Sequence, residues 1–285
     1  MTAAVVTGAG RGLGREIALL LGSRGHQVVA TDLDGDAAAG TAAAVADAGG
    51  TAYARHLDVR DEEACRAVAQ EAAEQAGHLA VWVNNAGVIA TGPAWEQDAG
   101  TRRLMVEVNT LGTMHGTLAA LEVMRARGRG HVVNIVSLAG LIGVPGETVY
   151  SASKHAALGF SLATLSDLRL AGVRGIDISC VCPDGIWTPM LHDKLEDPAA
   201  ALSFSGRLLH PADVARAVDR VLDRPRPVTA VPAWRGLQVR LLDALPGLAV
   251  RLGPNIQRLA RWQQRRYARK LGPAVPESAG RRPTA

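Results

Sequence analysis

Cysteine is scarce, with three in 285 residues. An odd, small number cannot pair completely, which excludes a disulfide framework. Cys180 and Cys182, read on opposite faces of one strand, are expected to be small buried hydrophobes rather than metal ligands, and no metal site is expected. Aromatic residues make up only 4% of the chain. Ala, Val, Leu and Gly abound instead, which suits helices packed closely on a sheet and argues against an aromatic-rich sandwich. Long apolar runs are also missing, because Arg240, Asp243 and Arg251 interrupt the best candidate; no membrane-spanning helix is expected. No basic segment and apolar core of a secretory signal precede Ala3-Ala4-Val5-Val6, so a soluble cytoplasmic protein is expected. Internal repeats at solenoid periods are absent too.

Charge is unevenly placed. From Arg235 onward there are eleven Lys/Arg against two Asp/Glu, leaving twenty against twenty-five before it. The net charge of +4 therefore hides a mildly acidic body and a strongly basic tail. With no basic stripe in the body, a nucleic-acid partner is not expected.

What is present is an alternation of short β-branched runs and longer Ala-rich segments of helical period. This pattern predicts an α/β fold: a Rossmann-like, doubly wound, seven-stranded parallel sheet with helices on both faces. The strands are expected at 3–7, 27–31, 52–56, 80–84, 131–137, 177–182 and 228–231. Helices are expected at 12–22, 35–48, 61–76, 100–127, 149–170 and 212–222. Residues 1–234 would form the catalytic domain, 235–271 a basic, partly helical extension, and 272–285 a disordered tail. Right-handed crossovers place the loops after the strands along one edge, where a ligand should bind.

Two groups of residues point to the chemistry. Thr7-Gly8-Ala9-Gly10-Arg11-Gly12-Leu13-Gly14 follows the first strand and opens a helix. Gly8, Gly12 and Gly14 allow a tight turn against which a pyrophosphate could lie on the helix N-terminus. The second strand leads to Asp32, eighteen residues beyond Gly14, where a dinucleotide fold needs a carboxylate for the ribose hydroxyls. A carboxylate there would repel a 2′-phosphate, which favours NAD over NADP; Arg11 is the one cation that could favour the phosphate. The second group is Ser137 at the end of the fifth strand, with Tyr150 and Lys154 one helical turn apart on the next helix. A phenol is a weak base unless a neighbouring cation favours its phenolate. Tyr150 beside Lys154 could therefore exchange a proton with a substrate hydroxyl while hydride moves at its carbon, with Ser137 hydrogen-bonding the oxygen.

With those residues in place, the chain resembles the short-chain dehydrogenase/reductase (SDR) family from Ala3 to about Val231. The matches are the glycine turn, Asp58 after the third strand, Asn84-Asn85-Ala86-Gly87 after the fourth, Asn109, Ser137 and Tyr150-x-x-x-Lys154. The resemblance implies that Asn109, Ser137, Tyr150 and Lys154 form a catalytic tetrad, with Asn109 holding a relay water and Lys154 also gripping the nicotinamide ribose. It implies that Asp58 and Val59 line the adenine, that Asn85, Ala86, Gly87 and Pro183 lie along the cofactor, and that Ile186 and Thr188 receive the carboxamide. It further implies a homo-dimer or homo-tetramer. Asp184 departs from the family, standing where a glycine is usual, and would either cap a turn or alter substrate polarity.

The segment Pro189 to His210 resembles the family's variable substrate loop. Met190, Leu191, Leu195, Leu202, Phe204 and Leu208 make it apolar, compatible with a hydrophobic alcohol or ketone or with simple packing. In the tail, Pro246 and Pro254 are expected as breaks before an Arg-rich helix at 256–271. Ile256, Leu259, Ala260, Gln263 and Tyr267 would give that helix an apolar face, to dock on the body or a partner subunit or to make peripheral contact with an anionic membrane. The leading expectation is an NAD(P)-dependent alcohol dehydrogenase or carbonyl reductase. The alternatives are a membrane-associated enzyme of lipid-like substrates and a non-catalytic dinucleotide sensor, whose signature, loss of tetrad residues, is missing.

Overall fold

The computed structural model describes residues 1–271; the expected disorder of 272–285 lies outside them. Seven parallel strands form one sheet in the order β3-β2-β1-β4-β5-β6-β7. They are β1 (Ala3–Thr7), β2 (Gln27–Asp32), β3 (Thr51–His56), β4 (Leu79–Asn84), β5 (Gly130–Ile135), β6 (Ile176–Pro183) and β7 (Val228–Val231). Strand order reverses between β1 and β4, so a crevice opens beyond their C-terminal ends.

Helices α1 (Gly12–Ser23), α2 (Gly35–Asp47), α3 (Glu62–Ala76), α4 (Ala99–Val106), α5 (Gly112–Arg127) and α6 (Thr148–Leu170) follow the first five strands; α7 (Pro189–His192) and α8 (Pro211–Asp223) come after β6. Ile17, Leu21, Val45, Val214 and Val218 bury one face of the sheet. Val68, Ala72, Ala120, Met124 and Leu168 bury the other. Asp34, Asp61 and Asp98 each accept the N–H of the residue three positions on, at 2.9–3.0 Å, fixing the starts of α2, α3 and α4.

Three local expectations are revised. The predicted helix 100–127 is α4 and α5 joined by a π-helical turn, Glu107–Leu111, that contains Asn109. Strand β5 stops at Ile135, because the Ser137 hydroxyl accepts the Ala139 N–H at 3.1 Å and starts a 3₁₀ turn. Cys180 and Cys182 share one face of β6, packing in the same cluster with Val136 and Val239; residues two apart on a strand must point the same way.

The extension is almost wholly helical: α9 (Ala233–Asp243) and α10 (Pro246–Leu271). Pro254 lies inside α10 and does not break it. The carbonyl that loses its N–H partner belongs to Val250, itself 76% exposed and able to meet water. Among the described residues, no helix is long and apolar enough to cross a membrane.

Candidate active site

A cleft of about 1470 Å³ runs along the C-terminal edge of the sheet. Every nominated residue lines it except Gly14 and Asn109. The turn between β1 and α1 is shaped by close backbone approach. Gly8 has φ +63°, and a Cβ there would stand 2.8 Å from the Ala86 Cα; one on Gly14 would stand 2.1 Å from the Gly8 carbonyl oxygen. Only glycines leave this cradle open. The Asn85 amide donates to the Thr7 and Gly8 carbonyls at 3.0 and 2.9 Å, so its side chain clamps the turn. Asp32 accepts the Gly10 and Asp34 N–H groups at 2.8 and 3.0 Å, which fixes its carboxylate at the cleft. The backbone amides, the α1 N-terminus and this carboxylate fit the pyrophosphate and ribose of a dinucleotide. Arg11 is exposed at the rim. Asp58 is gripped by Arg60 through both carboxylate oxygens, which holds its carboxyl below the usual range.

Across the cleft, Tyr150 and Lys154 rise from the first turns of α6. The Lys154 ammonium donates to the Ile135 carbonyl at 3.0 Å and lies 5.8 Å from the centre of the Tyr150 ring. Lys154 is buried, and desolvation pushes it down to about 8. Burial raises Tyr150, the Glu147 carboxyl adds to this, and the neighbouring Ser137 hydroxyl opposes it. Tyr150 is thus a proton donor at neutral pH, and it needs positive charge beside it to act as a base. Asn109 stands behind Gly87, whose added Cβ would be 3.2 Å from the Asn109 Oδ1 and 3.6 Å from the Lys154 Nζ. Its side chain exchanges two bonds of 2.9 Å with the Val88 backbone and donates to Ser153 at 3.0 Å. Asn84 faces the core, where it joins Trp82, Thr117 and Asn134 at 2.7–3.1 Å.

A family model described as short chain dehydrogenase matches residues 2–199. The chain belongs to the short-chain dehydrogenase family. SadH of Mycobacterium tuberculosis, which carries the name of an oxidoreductase, is 31% identical over 90% of this dehydrogenase and 92% of its own length. Cyclopentanol dehydrogenase of a Comamonas species is 31% identical over 75% and 86%. Among solved structures, a short-chain dehydrogenase/reductase from Burkholderia phymatum in complex with NAD superposes with a TM-score of 0.78 at 29% identity, covering 87% of this chain and 95% of that one.

Three features of the dehydrogenase's site were not nominated from sequence. Glu147, one turn before Tyr150, is 2% exposed and pushed up to about 7 by burial, with Ser203 of the lid bonded to its carboxyl. The second is the partner of Asp184: besides accepting the Gly185 N–H as the turn cap that the sequence allowed, its carboxylate pairs with Arg235 of α9 at 3.0 Å. The third is the wall formed by α9 and α10, with Val239, Leu242, Val250, Ile256 and Ala260 lining the cleft. Of the apolar lid residues, Met190, Leu191 and Leu202 line the cleft. Leu195, Phe204 and Leu208 instead pack into a cluster with Tyr267.

Proposed function

We propose that this dehydrogenase interconverts a hydroxyl and a carbonyl group on a hydrophobic small molecule, with NAD as its preferred cofactor. The observation that carries the reading is that Tyr150 and Lys154 open into the same cleft as the glycine cradle and Asp32. When bound, the nicotinamide would supply the site that gives or takes hydride.

Tyr150 gives its proton to a substrate carbonyl oxygen during reduction and takes it back from a hydroxyl during oxidation. Lys154 steadies the phenolate by its charge, and its downward shift lets it pass the proton on near neutral pH. Ser137 hydrogen-bonds the reacting oxygen and fixes its distance from Tyr150. Asn109, behind Gly87 and held by Val88, keeps the inner end of the relay in place. Asp32 accepts from ribose hydroxyls and disfavours a 2′-phosphate, whereas Arg11, exposed at the rim of the same cleft, is the cation that would favour one. Apolar walls from Met190, Leu202, Val239 and Leu242 favour an alicyclic or long-chain alcohol or ketone. The named cyclopentanol dehydrogenase relative is consistent with that class.

Assembly as a dimer or tetramer would use α4, α5 and α6, where Leu104 on α4, Leu111 in the π-helical turn, Leu118 on α5 and Leu170 on α6 are exposed apolar side chains. The test is a panel of alcohols and ketones, run with NAD and NADP and read by absorbance of the reduced cofactor. The reading expects turnover of hydrophobic members and a preference for NAD. Turnover of no member with either cofactor would overturn it.

A further inference from the structure

Among the described residues, half of the exposed large apolar side chains fall between Trp234 and Trp262, on α9, α10 and the turn that joins them. Trp234, Leu237 and Leu241, each 61–62% exposed, recur at helical spacing and form an apolar stripe on α9, while Leu245 in the turn between the helices and Leu248 at the start of α10 are 57% and 46% exposed. Beyond them Leu259 and Trp262 are 63% and 55% exposed, and the Arg266 guanidinium lies 4.8 Å from the Trp262 ring. Residues 235–271 carry nine Lys/Arg and a single acid, Asp243.

The inner side of α10 is already occupied. Gln264, 4% exposed, donates to the Lys194 and Asp197 carbonyls at 3.0 and 2.8 Å, and Ala260 is buried. The apolar stripe is therefore a second face, not the docking face that holds the helix to the body. On α10 exposed apolar side chains reach the mouth of the cleft: Leu259 lines it and is 63% exposed, and Val250 lines it and is 76% exposed.

We propose that α9 and α10 form a docking surface for an anionic lipid bilayer, through which a membrane-dissolved substrate reaches the cleft. The inference rests on reading the cleft as the substrate site. Leucines and tryptophans at helical spacing, flanked by arginines, match a helix pair lying in the interface plane, its apolar side chains among acyl chains and its cations at the headgroups. A second copy of the chain is the competing occupant. Isologous pairing would set two strongly cationic faces against each other, whereas an anionic surface neutralises them.

The experiment is sedimentation of the full chain with vesicles of phosphatidylcholine alone and of phosphatidylcholine mixed with phosphatidylglycerol. Alongside it run the variant Leu237→Ser/Leu241→Ser/Leu245→Ser, none of which lines the cleft, and the variant Arg258→Glu/Arg261→Glu. The wild type is expected to pellet with the mixed vesicles about tenfold more than with phosphatidylcholine, less so at high salt. Both variants should lose that excess while turning over a water-soluble alcohol as before. Equal pelleting on both vesicle types, or unchanged pelleting of the variants, would overturn the proposal. So would a wild-type dimer that the leucine variant dissociates without any vesicle binding. Because pelleting is read without turnover, its failure leaves the oxidoreductase reading intact; normal pelleting with no turnover of any alcohol would overturn that reading alone.

Discussion

Glu147 is the residue whose chemistry depends most on the packing around it. Burial between α6 and the lid lifts its carboxyl from 4.5 to about 7, so the folded chain keeps a proton that the unfolded chain has lost. The stability this confers is complete below about pH 4.5 and is lost as pH rises through about 7. Glu147→Gln should flatten this dependence. Its thermal stability relative to wild type should rise by up to about 3 kcal/mol between mildly acidic and mildly alkaline buffer, and parallel melting curves at both pH values would contradict the assignment. The glycine cradle allows a second test. Gly14→Ala puts a methyl 2.1 Å from the Gly8 carbonyl oxygen, and is expected to destabilise the chain by about 2 kcal/mol and abolish dinucleotide binding measured by calorimetry. The cradle, Asp32 and the Tyr150–Lys154 pair were legible because each needs a particular residue type at a particular spacing. Glu147 was not, because nothing in its neighbours reveals that Ser203, 56 residues away, will close over it.

At the scale of elements, the extension and the site are one construction. Arg235 donates to Asp184 at 3.0 Å and to Gln238 at 2.7 Å, and also bonds Ser205, tying α9 to the loop after β6 and to the lid. Asp184, the departure from the family pattern, thus has its partner in the tail. Arg235→Ala leaves that buried carboxylate unpaired and should cost about 2 kcal/mol in chemical denaturation, below the figure for wholly buried pairs. Adding Asp184→Gly should recover most of the loss, and strict additivity would show the two to be uncoupled. Further along, Gln264→Ala frees two lid carbonyls. It should raise KM for a hydrophobic alcohol several-fold while leaving the Kd for NAD unchanged, measured side by side. The sequence pattern located five helices (α1, α2, α3, α6 and α8) and all seven strands to within two residues, and merged α4 with α5. It missed the π-helical turn at Asn109, since such a turn changes hydrogen bonding without changing composition. It also took Pro254 as a break, where tertiary contacts of α10 outweigh the local preference.

For the whole molecule, the arrangement is a parallel sheet whose ligand edge faces an added helical wall. The mildly acidic body carries the cradle and the proton relay, while the basic extension closes the far side of the cleft and presents an apolar stripe outward. Periodicity was enough to identify the body, but which way the extension turns was not legible, because Leu259 was expected on its buried face and is 63% exposed. The proposed reaction passes through one proton transfer at Tyr150. The most direct test is the steady-state rate of Tyr150→Phe, on an alcohol that the wild type oxidises with NAD, with dinucleotide binding measured on the same preparation. Loss of the phenol is expected to lower kcat by about 10²–10⁴-fold with NAD affinity retained. A Tyr150→Phe enzyme that binds NAD and turns over at the wild-type rate would contradict the mechanism.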